Sequence, residues 1–158
     1  MEKNLPRRAA RENAFLVLFA ATFDDQPLEE LLAQNQEDGE HVVDAFGEQL
    51  LRMYYNHSAE VNDLISARLR NWTMKRLPRV TLSVLRLGVA ELVYSPDKKP
   101  GVAINEAVEL SKKYGADEDY QFVNGLLGSV ARDLHIEGAD EAPQETEAPA
   151  PEAEKPQE

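Results

Sequence analysis

The chain has no cysteine among its 158 residues, which removes disulfides, thiolate nucleophiles and cysteine-based zinc or iron–sulfur sites by inventory. No apolar run approaches the roughly 18 residues of a membrane span. The opening stretch MEKNLPRRAARENAF contains no hydrophobic signal-peptide core. A cytoplasmic protein with no membrane contact is therefore expected. Glycine is sparse, at eight residues, and nowhere forms a Gly-rich phosphate loop. The three histidines, His41, His57 and His135, are scattered and make no HExxH pair, so surface or capping roles are expected of them. The carboxylates around Glu29, Glu30, Asp38 and Asp44 lack the spacing of a calcium loop and read as a solvated helix face. No enzymatic activity, metal or cofactor is expected.

Basic residues are also few, 17 Lys and Arg against 29 Asp and Glu, for a formal net charge of -12. Such a balance ordinarily repels nucleic acid, but the charge is segregated. From Glu137 onward eight acids face one lysine. Between Asp24 and Glu48 there are nine acids and no base. From Leu64 to Ala90, Arg68, Arg70, Lys75, Arg76, Arg79 and Arg86 occur with no acid. A basic face on an acidic molecule follows.

What is present is helical periodicity. Residues 8 to about 22 carry Ala10, Ala14, Phe15, Leu18 and Phe19 at helical spacing. PLEELLAQ predicts a second helix behind Pro27. EHVVDAFGEQLLRMYYN predicts a third, with Val42, Val43, Phe46, Leu50, Met53 and Tyr54 as its buried stripe. Ser58 is the expected cap of a fourth, AEVNDLISARLRNW. Pro78 then breaks the pattern, and TLSVLRLGVAELVYS is apolar on several faces, as a central helix would be. VAINEAVELSKKYG closes on two lysines and the cap residue Gly115. ADEDYQFVNGLLGSVARDLH supplies the last helix, with Asp117 or Asp119 as its cap. No stretch alternates with period two. The expected fold is all-α, with about seven helices over 1–137 and a disordered acidic Pro/Ala/Glu-rich tail over 138–158.

Three arginines, Arg7, Arg8 and Arg11, sit where a helix dipole disfavours cations, so an anionic partner is a reasonable expectation beside plain surface exposure. Gly125 interrupts a helix at a cost of about 1 kcal/mol, for which close helix packing is the structural reason. Phe122 reads as a core aromatic, with base stacking as the alternative. Asn105 reads as a buried tie between helices, with base recognition as the alternative.

RRAARENAF, LPRVTLSVLRLGVAEL, PGVAINEAVELSKKYG and YQFVNGLLGSVARDL together, in this order and spacing, resemble the NusB family of bacterial transcription antitermination factors over about residues 5 to 135. The resemblance implies two packed helical sub-bundles. It implies binding of single-stranded boxA RNA together with NusE, a small-subunit ribosomal protein, in support of ribosomal RNA operon transcription. Other Nus factors and RNA polymerase would be engaged indirectly, and both monomers and homodimers occur among such proteins. It carries Arg7, Arg8 and Arg11 over as RNA contacts and makes Phe122 a stacking candidate. Arg76 and Arg79 join them on local charge alone.

Overall fold

The apolar spacing resolves into seven helices among the described residues: α1 (Arg7–Ala21), α2 (Leu28–Asp38), α3 (Ala45–Asn56), α4 (Ser58–Ser66), α5 (Arg79–Tyr94), α6 (Pro100–Tyr114) and α7 (Asp119–Asp133). A single 3₁₀ turn, Met74–Arg76, precedes α5. The computed structural model describes residues 4–39, 41–70, 73–97 and 99–136, and no strand occurs among them. The expected tail from 138 lies outside the described residues.

α5 is the axis. It buries Val84, Leu85, Leu87, Val89, Ala90 and Leu92, and it packs against α1, α3, α4, α6 and α7. Each such fully buried leucine or valine contributes roughly 1.5–3 kcal/mol relative to an exposed one. The helices fall into two groups that share this axis, α1 to α4 on one side and α6 with α7 on the other. The all-helical, two-sub-bundle expectation holds.

Several local expectations do not. α3 starts at Ala45 rather than Glu40, because the buried Asp44 takes the cap position and its Oδ1 accepts the Gly47 N–H at 2.8 Å. Val42 therefore lies ahead of the helix and is exposed, not part of the buried stripe. Ser58 is the first residue of α4 rather than its cap; His57 holds that position, with its ring stacked 3.7 Å from that of Tyr94. α4 ends at Ser66, and Trp72 lies outside the described residues. Gly115 does cap α6, but in an extended conformation (φ -92°). Its glycine answers to space instead, since a Cβ there would lie 2.7 Å from the Ser111 carbonyl oxygen. Glu118, not Asp117 or Asp119, occupies the cap of α7, and its side chain makes no cap bond. Asp119 turns back to accept the Ala116 N–H at 3.3 Å.

Candidate nucleic-acid interface

The N-terminal arginines are placed by what precedes them. Leu5 N–H donates to Asp44 Oδ2 at 2.9 Å, while the other oxygen of the same carboxylate caps α3. Asp44 is thus a buried tie between the chain start and α3, not part of a solvated face. Pro6 then opens α1, whose first turn holds no acid to offset Arg7 and Arg8.

The fold brings the missing anions from far along the chain. Arg11 donates twice to Glu91 of α5, at 3.0 and 2.6 Å, and both side chains are only 12% exposed. Arg8 donates twice to Glu106 of α6, at 3.1 and 2.9 Å, but its own side chain is 69% exposed. Arg7 has no carboxylate partner among the described residues. Its guanidinium lies 4.0 Å above the centre of the Phe46 ring, with that of Arg11 at 5.0 Å from the same ring. A fourth contact closes the set: Glu12 of α1 accepts from Lys113 and Tyr114 of α6. The hydrogen bond from Lys113, then that from Tyr114, holds the Glu12 carboxyl below its ordinary range against the opposing effect of burial.

The result is a shelf of four cations, Arg7, Arg8, Arg11 and Lys113, faced by three carboxylates, Glu12, Glu91 and Glu106. An open cleft of about 180 Å³, bordered by Arg7, Arg11, Phe46, Lys99 and Val102, adjoins it. A planar guanidinium already stacked on an aromatic ring and another facing solvent suit phosphate forks and unpaired bases. The near balance of charge keeps the long-range pull on an anion small.

The other expected site residues lie elsewhere. Arg11 meets Glu91 near the end of α5, whereas Arg79 at its start donates to the Thr22 carbonyl just past α1. The two helices are therefore antiparallel, and Arg76 and Arg79 sit about 20 Å from the shelf at 1.5 Å per residue. Phe122 is 8% exposed and packs in the core with Val123 and Leu126, so its ring is not an open stacking surface. The half-buried ring at the start of α7 is that of Tyr120, with the Lys112 ammonium 4.8 Å from its centre. Asn105 is exposed on the outer side of α6 rather than buried between helices. A Cβ on Gly125 would meet nothing within 4 Å, so close packing does not explain that glycine. Among the described residues no group of three or more His, Asp or Glu could hold a metal ion, and no helix is long and apolar enough to cross a membrane.

Glu12, Phe46, Glu91 and Glu106 escape a reading of the sequence. Only Glu91 leaves a trace, as the single acid in the largely apolar RVTLSVLRLGVAELVY. A carboxylate there needs a cation.

Residues 8–132, which include α1, α3, α5 and α6 that build this shelf apart from Arg7, match the model of the NusB family. The chain belongs to the NusB family. Among relatives with that name, the transcription antitermination protein NusB of Bacillus velezensis is 38% identical over 82% of this chain and 98% of its own length. That of Geobacter sulfurreducens is 34% identical, over 84% and 98%. The solved structure of T. maritima NusB superposes with a TM-score of 0.74 at 32% identity, covering 89% of this chain and 99% of the other. A structure of antitermination factors NusB and NusE in complex with double-stranded RNA gives 0.69 at 32% identity, covering 80% and 96%.

Proposed function

We propose that the chain is a transcription antitermination protein that binds boxA-type single-stranded RNA together with NusE, in the cytoplasm, and so supports transcription of ribosomal RNA operons. It acts by binding, without catalysis. The observation that carries the RNA contact is the shelf itself, on which Arg7 stacks on Phe46 and Arg8 presents an exposed guanidinium. Family membership and the likeness to a NusB–NusE–RNA complex support the partner. The three carboxylates behind the arginines leave too little net charge for tight binding alone, which gives the partner protein its role. Phe122 contributes by packing the start of α7.

The test is a fluorescence-anisotropy titration of boxA-type RNA with the protein, alone and with NusE, over 50 to 200 mM salt. Tight binding with NusE, lost about tenfold in R7A/R8A, is the expected result, with a log–log salt slope flattened by about 1.4 for two phosphate contacts on a single strand. A double-stranded RNA of the same sequence should bind less well. Affinity unaltered in R7A/R8A removes the shelf from the RNA site.

A further inference from the structure

Folding divides the cations of the acid-free stretch. Arg68 is drawn onto α7, where it donates to Ser129 Oγ at 3.1 Å and Asp133 Oδ2 at 2.7 Å. Arg86 donates to Asn62 Oδ1 at 3.0 Å. Lys75, Arg76 and Arg79 remain exposed around the start of α5, and none has a carboxylate partner among the described residues. The first turn of α5 contains no acid, so no carboxylate within the helix offsets three cations at its positive end.

Beside them lies Phe23, 63% exposed. Its ring stands edge-on to Phe19 at 5.4 Å, with the Arg79 guanidinium 4.2 Å above one face. Phe23, Lys75 and Arg79 border an open cleft of about 600 Å³ whose rim also includes Asp24 and Asp25. An aromatic face, cations free for phosphate and carboxylates able to accept from an exocyclic amine are what an unpaired nucleotide needs. An acidic peptide fits worse, because its carboxylates would meet Asp24 and Asp25, whereas a nucleotide confines its charge to the phosphate.

We propose that this cleft is a second contact site for single-stranded RNA, with one unpaired base stacked on Phe23, a neighbouring phosphate at Lys75 on the rim and the next at the exposed Arg76 beside it in the chain. The proposal rests on RNA binding as the function, not on the shelf being the first site. A strand engaging both would run about 20 Å along α1.

The test uses the full chain with saturating NusE and a 20-nucleotide boxA-type RNA, comparing wild type, F23A, K75A/R76A and R7A/R8A by anisotropy. Thermal melts check folding, and the surface pair K75A/R76A serves if F23A folds poorly. F23A is expected to weaken binding about five- to tenfold, as loss of one base stack does. K75A/R76A is expected to weaken it similarly and to flatten the salt slope by about 1.4. Both variants within twofold of wild type would overturn the second site. If R7A/R8A is then impaired, the shelf stands alone. Should no variant alter affinity, or the wild type bind no RNA, the RNA reading falls with it. Unchanged RNA affinity with weakened NusE binding would reassign the cleft to a protein contact.

Discussion

The two ends of the antiparallel pair α1 and α5 carry the same kind of charge in opposite states. At one end Arg7, Arg8 and Arg11 are each held, two by carboxylates 80 and 98 residues away in sequence and one by a phenyl ring. At the other, Lys75, Arg76 and Arg79 surround the start of a helix with no carboxylate ion-paired to them among the described residues, although Asp24 and Asp25 share the cleft. In sequence the two groups have the same spacing, three cations in five positions, yet in space the first is the better neutralised. The comparison teaches that a run of arginines locates guanidinium groups but not the field they project. The shelf supplies geometry, and the far cleft supplies cations that no ion pair among the described residues holds.

The largest test of that contrast is Glu91→Ala. It leaves the largely buried Arg11 without its counter-ion, and removing one member of a buried pair is expected to cost about 2–4 kcal/mol here. A urea midpoint reads this directly, and an unchanged midpoint would mean that Arg11 escapes to solvent and the two ends are alike. Next, Glu106→Gln frees the exposed Arg8 without opening the core. RNA affinity at 50 mM salt should rise about two- to fivefold, the scale of one exposed ion pair. Glu109→Gln removes the same charge from α6 without releasing a guanidinium held in two hydrogen bonds, so it should do less. Equal effects would show that only net charge counts.

At the other end, Arg79→Glu places an acid in the first turn of α5. Stability should increase by about 0.3–1 kcal/mol through the helix dipole while RNA binding falls. A drop in melting temperature would show that the Arg79–Phe23 contact outweighs the dipole. The smallest effect is expected of Glu12→Gln. Because the folded Glu12 value is lowered, its ionised form adds stability above the ordinary carboxyl value near 4.3, and this is lost as pH falls through the lower folded value. The variant should lose less stability between pH 5 and pH 3 than the wild type does. Superimposable pH profiles would show that the contacts with Lys113 and Tyr114 add nothing.

Much of the architecture was legible because helices report themselves locally. The spacing of Ala10, Ala14, Phe15 and Leu18 gave the inward side of α1, and the all-round apolarity of α5 announced its central place. Boundaries were less legible where a side chain could cap in competition with periodicity. Asp44 fixed the start of α3 beyond the apolar Val42 because its carboxylate satisfies an orphan N–H of the first turn, a signal that apolar spacing does not carry. The site residues were legible as a list but not as a place: one list of six sorted into a shelf, a distant cleft and a core phenylalanine.

Composition and periodicity by themselves determined an all-helical chain without cysteine chemistry, and motif order pointed to the NusB family, because these depend only on residues near one another in the chain. Tertiary structure decided which cations are free, which aromatics are open and which carboxylates answer them. Coulomb and stacking interactions act over a few ångströms of space, and only the packing of α1 against α5 and α6 brings Glu91 and Glu106 to the arginines while leaving Lys75 and Phe23 in solvent.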